Sequence, residues 1–344
     1  GLGDVYKRQS PSTPQGSASP QSGVKLQDPR HEVPCAKHYI SRARADPIRW
    51  RGSISVANMD VKAQNKVNGG VLTKYSFKSS VLGNLDANMN VYTPPQAEGG
   101  NKVPVLFYLS GLTCNEDNAP QKGAMFAAAA EVGVAIVFPD TSPRGANIAG
   151  EDDSYDFGTG AGFYVNATKA PWNKHYQMYD HVVKEIPQKL AEANIPVDMQ
   201  RASVFGHSMG GHGALVIYLR EAGKFRSASA FSPVAHPTAC AWGDKAFNGY
   251  LEDGLEEGKA YDATELLRNA KSLNHVNMLL DCGTADNFYK QRLLLPEDFV
   301  EAAKAKGFDE SSVTLRLHDG YDHSYYFIST FAPEHIRWHA QFLK

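Results

Sequence analysis

A serine flanked by glycines is the strongest chemical signal in the sequence. It lies in the pentapeptide Gly206-His207-Ser208-Met209-Gly210, between a predicted strand over 202–205 and a predicted helix over 210–222. A serine on a sharp strand-to-helix turn needs small neighbours, because the helix packs close to the strand. The glycines of the pentapeptide and Gly211 meet this need, so the pattern predicts that Ser208 is a nucleophile. The alternative is a glycine-rich helix start in which Ser208 serves only as an N-cap.

A serine hydroxyl becomes nucleophilic when a base accepts its proton and an acid holds that base in the right tautomer. Where the serine lies on a strand-to-helix turn, the chain order is serine, acid, histidine. His323, in the loop 320–324 after the last predicted strand, is the predicted base. His318 falls inside the strand pattern, which favours a structural role. His335 and His339 are spaced like a metal pair, but no HExxH sequence accompanies them, and a packing or surface role is favoured.

Three aspartates compete for the role of the acid. Asp286 lies in the loop 283–288 after a predicted strand, at the edge where open α/β sheets bind their ligands. Asp281 ends that strand, and Asp322 directly precedes His323. Neighbouring side chains in a loop rarely point at one another. We therefore predict that Asp286 is the acid.

The tetrahedral intermediate needs hydrogen-bond donors aimed at its oxyanion. One predicted donor is the backbone N–H of Met209, directly after the nucleophile. The second comes from the loop after an early strand, here 110–114, and Leu112 N–H is the predicted donor, with Gly111 allowing close approach. Cys114, in the same loop, is interpreted either as a thiol at the rim of the pocket or as a half-buried packing residue.

Apolar runs of strand length alternate with helical stretches from Met59 onward. The predicted strands are 75–77, 89–92, 103–109, 134–138, 202–205, 227–231, 276–280 and 313–317. The predicted helices are 119–131, 175–193 with a disturbance at Pro187, 210–222, 296–306 and the C-terminal segment. Strands that are apolar throughout and separated by helices imply a mostly parallel sheet covered on both faces. We expect one α/β catalytic domain over 59–344.

Composition excludes several classes of protein. The chain has 344 residues, of which 42% are hydrophobic and 21% charged, as in ordinary globular proteins. The four cysteines are far apart, so neither a disulfide framework nor a zinc module is expected. The most apolar stretch, 124–138, contains Glu131 and is shorter than a membrane span of about 20 residues. Residues 59–344 carry 26 Lys/Arg and 33 Asp/Glu, so no nucleic-acid partner and no membrane partner is expected.

The first 58 residues do not have the pattern of a folded domain. Residues 10–23 contain only Ser, Pro, Thr, Gln, Gly and Ala, which cannot bury enough apolar surface to fold. The chain begins with Gly and its first methionine is Met59, which favours a leader that is not native protein. One alternative is a targeting peptide, since such peptides are rich in Arg and Ser, but the four acidic residues of this segment argue against it. The other alternative is a genuine disordered tail.

Several long stretches from about residue 64 onward resemble one known family. They are SGLTCNEDN (110–118), GEDDSYDFGTGAGFYVNAT (150–168), PVDMQRASVFGHSMGGHGAL (196–215), AWG (241–243), FNGYL (247–251) and GYDHSYYFI (320–328). They are similar to the S-formylglutathione hydrolase, or esterase D, family of α/β-hydrolases. The catalytic residues of the family fall on Ser208, Asp286 and His323, and its oxyanion donors fall on Leu112 and Met209. A departure is Tyr155, where many relatives have Trp.

The resemblance implies the hydrolysis of S-formylglutathione to glutathione and formate, the second step of glutathione-dependent formaldehyde detoxification. It also implies that no metal and no organic cofactor is required, and that the protein is cytoplasmic and often a homodimer. Because formyl is the smallest acyl group, we expect a tight pocket. Its predicted walls are Trp242, Phe163 and Tyr164, with Cys114 counted among the substrate-binding residues.

Two other functions remain possible from the sequence. A general short-chain carboxylesterase would use the same three catalytic residues, and the resemblance alone separates it from the thioesterase. A non-catalytic binding protein on the same fold would usually lack one member of the triad, whereas this chain has a candidate for each.

Overall fold

The computed structural model describes residues 55–56, 58–271 and 275–344. The predicted leader over 1–58 lies outside the described residues, apart from its last few positions. The strands are β1 (Ser55–Val56), β2 (Met59–Val67), β3 (Gly70–Ser79), β4 (Leu85–Thr93), β5 (Val103–Leu109), β6 (Ala135–Pro139), β7 (Val197–His207), β8 (Ala228–Phe231), β9 (Met278–Gly283) and β10 (Val313–His318). The helices are α1 (Asn118–Lys122), α2 (Phe126–Val132), α3 (Met178–Asp180), α4 (Ile186–Glu192), α5 (Met209–Arg220), α6 (Ala241–Tyr250), α7 (Gly254–Gly258), α8 (Ala263–Asn269), α9 (Asn287–Lys290), α10 (Pro296–Ala305) and α11 (Tyr325–Ala340).

All these strands form one sheet in the order β1-β2-β3-β4-β6-β5-β7-β8-β9-β10. The strands from β6 to β10 in this order are parallel, and β1 to β4 extend the sheet in antiparallel fashion. The prediction of a mostly parallel sheet is confirmed. Since parallel strands end at the same edge, the loops after β5, β7, β9 and β10 lie on one side of the molecule.

The central strands are apolar throughout because both faces of the sheet are covered. In β5, Val105 and Phe107 belong to one core, together with side chains of α5, α8 and α10. Leu106 and Tyr108 point to the other face and belong to a second core with α2 and α11. The prediction of β5 over 103–109 is confirmed residue for residue. By contrast, β2 was not predicted, since its mixed polar pattern belongs to a strand near the edge of the sheet.

Two predicted helices differ from the structure. The single helix predicted over 119–131 is two helices, α1 and α2, because Ala124 has a left-handed φ of 53° that ends the first one. The stretch 175–193 is disturbed, as Pro187 predicts, but the chain accommodates the proline at the first turn of α4, after a π-helical turn over His181–Glu185. A proline in a first turn removes no helical hydrogen bond. The helices α6, α7 and α8 were not predicted.

The C-terminal helix α11 is anchored to the sheet by buried histidines. The ring nitrogens of His339 lie 2.7 Å from the Ser227 hydroxyl and 2.8 Å from the Ser229 hydroxyl. His335 Nδ1 lies 2.8 Å from the Ser229 hydroxyl. Both histidines therefore have the packing role that was favoured over metal binding. His318, at the end of β10, lies with its ring centroid 3.9 Å from that of Phe331, in keeping with a structural role.

No helix in the described part of the chain is long and apolar enough to cross a membrane.

The buried histidines predict a loss of stability in mild acid. Burial holds the pKa of His339 well below its usual value, whereas in the unfolded chain this side chain binds a proton below about pH 6.5. The contribution of the neutral His339 ring to the free energy of unfolding is therefore fully present above that pH, and it is lost as the pH falls. Between pH 7.5 and pH 5, we expect the wild type to lose about 2 kcal/mol more unfolding free energy than His339→Gln, at about 1.4 kcal/mol per pH unit.

Urea unfolding at several pH values measures this difference. The matched control is His275→Gln, which alters an exposed histidine and should keep the wild-type pH dependence. An unchanged pH slope in His339→Gln would contradict the prediction.

Candidate active site

Ser208 lies on the turn between β7 and α5. Its φ of 58° and ψ of −120° are a strained combination for a residue with a side chain. Its neighbours must be glycines, because a Cβ on Gly210 would lie 2.0 Å from the carbonyl oxygen of Leu109. A Cβ on Gly206 would lie 2.3 Å from the carbonyl oxygen of Gly210. The strand–turn–helix context expected for Ser208 is therefore present.

Asp286, which is buried, pairs with the partly buried His323. His323 Nδ1 lies 2.5 Å from Asp286 Oδ2, and the other carboxylate oxygen accepts the backbone N–H of Phe288 at 2.8 Å. Burial alone would raise the pKa of Asp286, but the hydrogen bond and charge of His323 hold it below its usual value. The carboxylate is thus ionised at neutral pH, and its bond to Nδ1 leaves Nε2 of His323 as the nitrogen that can accept a proton.

The rival aspartates are engaged elsewhere. Both carboxylate oxygens of Asp281 accept hydrogen bonds from Arg316, each at 2.7 Å. Asp322 Oδ1 accepts the backbone N–H of Ser324 at 3.0 Å and its hydroxyl at 2.7 Å. Among the described residues, the carboxylate that lies within hydrogen-bond distance of the His323 ring is that of Asp286. Of the three candidates, the structure pairs Asp286 with the histidine.

The His323 ring is held between two other rings. The centroid of His207 lies 4.4 Å away and that of Phe288 lies 4.7 Å away in an edge-on arrangement. Burial lowers the pKa of His207 well below its usual value, so this ring is neutral. Since His207 directly precedes Ser208, its contact with His323 brings the turn and the base into one cluster.

The two predicted oxyanion donors lie beside Ser208. A Cβ on Gly111 would lie 3.1 Å from Ser208 Cβ, so the loop after β5 passes next to the nucleophile. Among the described residues, neither Leu112 N–H nor Met209 N–H donates a hydrogen bond to another protein group. The first N–H groups of a helix have no partner within it, and Met209 begins α5. These unengaged donors are what an oxyanion requires.

The four predicted substrate-binding residues lie around this cluster. Trp242, on α6, contacts Phe288 with a centroid distance of 4.8 Å. Phe163 and Tyr164 are fully buried, and the hydroxyl of Tyr164 donates to the Ser110 carbonyl oxygen at 2.9 Å. Cys114 is half-buried, which fits both interpretations of this thiol.

Two contributors were missed by sequence reasoning. Phe288 contacts both His323 and Trp242, and its position two residues after Asp286 was the available signal. Arg144 donates to the Cys114 carbonyl oxygen at 3.0 Å and to Asp140, and so holds the far end of the loop after β5. No local pattern marks Arg144.

Known proteins resemble the chain over most of its length. A protein-family model described as a putative esterase matches residues 79–340. An S-formylglutathione hydrolase of Mus musculus is 52% identical over 281 residues, which cover 82% of this chain and 97% of the relative. One of Arabidopsis thaliana is 49% identical over 279 residues, covering 81% and 96%. A solved S-formylglutathione hydrolase from Agrobacterium tumefaciens is 42% identical with a TM-score of 0.78, covering 83% of this chain and 99% of that chain.

The assignment of Asp286, and not the neighbouring Asp322, as the partner of His323 can be tested by mutation. We expect Asp286→Asn to lower kcat by about 10⁴-fold, because an amide can neither hold the tautomer nor stabilise the imidazolium. The matched change Asp322→Asn removes a carboxylate next to His323 in sequence but leaves the pair intact, so kcat should stay within about threefold of wild type. Steady-state hydrolysis of an aryl acetate measures both. Equal losses in the two variants would count against Asp286.

Proposed function

The chain belongs to the S-formylglutathione hydrolase family, and we propose that Ser208, Asp286 and His323 hydrolyse S-formylglutathione to glutathione and formate in it. The fold is the α/β-hydrolase fold, with a mostly parallel central sheet and helices on both faces. The observation that carries the proposal is the 2.5 Å Asp286–His323 pair next to a serine on a strained turn. Identities of 49% and 52% to curated members of the family support the substrate.

The first half of the reaction forms an acyl-enzyme. Ser208 Oγ attacks the formyl carbon while His323 Nε2 takes the hydroxyl proton, and Asp286 stabilises the resulting imidazolium. The carbonyl oxygen becomes an oxyanion that accepts hydrogen bonds from Leu112 N–H and Met209 N–H. The carbon–sulfur bond then breaks, the proton of His323 passes to the glutathione sulfur, and a formyl ester remains on Ser208.

The second half releases formate. His323 takes a proton from water, which attacks the formyl ester, and a second oxyanion forms at the same two donors. The ester bond then breaks, the Ser208 oxygen recovers its proton from His323, and formic acid leaves and ionises. The neutral, buried His207 ring next to His323 adds no positive charge beside the imidazolium of either step, which lowers the cost of forming it.

The remaining predictions about this chain are part of the same proposal. Trp242 and Phe163 are walls of a formyl-sized pocket, and Tyr164 and Cys114 stay substrate-binding candidates. The catalytic domain is 59–344, and residues 1–58 are not needed for its chemistry. The protein works in the cytoplasm as a homodimer. Sedimentation at micromolar concentration would test whether it is a dimer.

Steady-state kinetics on S-formylglutathione and on a short aryl ester test the activity, with Ser208→Ala as the control. We expect the thioester to be preferred by at least about 100-fold in kcat/KM, and the variant to lose at least about 10⁴-fold on both substrates. Equal turnover of thioester and aryl ester would instead indicate a general short-chain carboxylesterase. Full activity in Ser208→Ala would refute the mechanism.

The size of the acyl pocket is tested by Trp242→Ala. Removing the indole next to Phe288 should open space near His323, and one methylene more or less in a hydrophobic pocket changes selectivity by about 10- to 200-fold. We expect kcat/KM for a butyryl ester, relative to the formyl ester, to rise by about tenfold or more. A selectivity identical to wild type would show that Trp242 does not limit acyl size.

A further inference from the structure

The loop that carries Leu112 is held by its neighbours on both sides. The Cys114 N–H donates to the Gly111 carbonyl oxygen at 3.3 Å, and the Thr113 N–H donates to the Gly160 carbonyl oxygen at 2.9 Å. The Gly111 carbonyl belongs to the same peptide plane as Leu112 N–H. Its hydrogen bond therefore turns Leu112 N–H to the opposite side.

The preceding peptide group, between Ser110 and Gly111, is held by Tyr164. Its hydroxyl donates to the Ser110 carbonyl oxygen at 2.9 Å, and both residues are buried. Burial raises the pKa of Tyr164 well above its usual value, so the hydroxyl remains a donor at every working pH. The peptide group before the one that carries Leu112 N–H is thus held by Tyr164, and the peptide group after it is held by the Gly160 carbonyl oxygen.

Tyr164 belongs to a strained segment that also touches the second donor residue. Phe163 and Tyr164 have left-handed φ angles of 46° and 50°, which side chains rarely adopt. Phe163 N–H donates to Met209 Sδ at 3.3 Å, and its carbonyl oxygen lies 3.0 Å from His212 Nε2. Strain of this kind persists where surrounding contacts hold it, and one of these contacts is made by Met209, whose N–H is the second oxyanion donor.

The nucleophile helix leaves room for the tyrosine ring. A Cβ on Gly213 of α5 would lie 2.6 Å from Tyr164 Cδ2. The ring therefore lies directly against the backbone of α5, with its hydroxyl reaching the loop after β5. This one side chain connects the helix that begins with Met209 to the loop that carries Leu112.

We propose that Tyr164 is a positioning residue for the oxyanion hole. Its hydroxyl holds the Ser110 carbonyl group, so that Leu112 N–H points at the reacting carbonyl oxygen of the substrate. Tyr164 acts through the backbone and does not touch the reacting atoms. The inference rests on the proposed function only in taking Ser208 as the nucleophile of an acyl transfer. It gives Tyr164 a role that a wall of the acyl pocket would not have.

The test compares Tyr164→Phe with Tyr179→Phe. Tyr179 is also buried, and its hydroxyl donates to Glu221 at 2.7 Å, so both variants lose one tyrosine hydrogen bond. The substrates are S-formylglutathione and aryl formate, acetate and butyrate. Loss of a whole oxyanion donor costs about 10²- to 10³-fold in kcat, so a misaligned donor should cost about tenfold. We expect Tyr164→Phe to lose this factor in kcat equally for every acyl group, with KM within about twofold, and Tyr179→Phe to lose nothing.

A second measurement detects the oxyanion directly. A small trifluoromethyl ketone adds to the serine and places an oxyanion in the same hole, so its inhibition constant should rise in Tyr164→Phe by the factor lost in kcat. A loss that varies with acyl size, or a raised KM at unchanged kcat, would overturn the proposal and make Tyr164 a pocket wall. Activity equal to that of Tyr179→Phe would overturn it as well.

Gly213→Ala provides the second variant if Tyr164→Phe does not fold. The added methyl displaces the Tyr164 ring from α5 and so moves its hydroxyl away from the Ser110 carbonyl oxygen, although neither group is removed. The same uniform loss in kcat is expected. Unchanged kcat in a folded Gly213→Ala would count against the proposal. The aryl esters keep this test separate from the test of the proposed function. If the wild type is inactive on S-formylglutathione but active on the aryl esters, the proposed substrate is refuted and the role of Tyr164 can still be tested.

Discussion

The contact between the β7–α5 turn and the end of β5 is the constraint on which the site depends. The backbone of Gly210 approaches Leu109 so closely that a Cβ would lie 2.0 Å from the Leu109 carbonyl oxygen. This approach places Ser208 next to the loop that follows β5, and so brings the nucleophile and both oxyanion donors together. A side chain at Gly210 would push the helix away from β5 and separate these groups.

The parallel sheet supplies the acid and the base at the same place. In the register of β9 and β10, Gly283 pairs with His318, so the two loops that follow leave the sheet at the same level. Asp286 and His323 lie in these loops, three and five residues further on. Parallel neighbours ending at one edge explain why residues 37 positions apart meet at 2.5 Å.

The electrostatics of the cluster follow from burial and partners. His207 is buried, its ring nitrogen Nε2 lacks a partner among the described residues, and it stays neutral. Asp286 is also buried, but two backbone N–H groups and His323 donate to it, and it stays ionised. The arrangement therefore places one negative charge behind His323 and a neutral His207 ring beside it, which suits a base that becomes an imidazolium in the reaction.

The sequence by itself determined the features that depend on local pattern. The glycines around Ser208 indicated a sharp turn, and the unbroken apolar run of β5 indicated a buried strand. Chain order, together with their places in loops that follow predicted strands, selected Asp286 and His323 as partners. The contacts that complete the site were decided by the tertiary structure. Phe288 against His323, Tyr164 against Ser110 and Arg144 against Cys114 join segments that are distant or unmarked in sequence. Residue type and spacing report what a segment can form alone, whereas these contacts depend on which segments the sheet brings together.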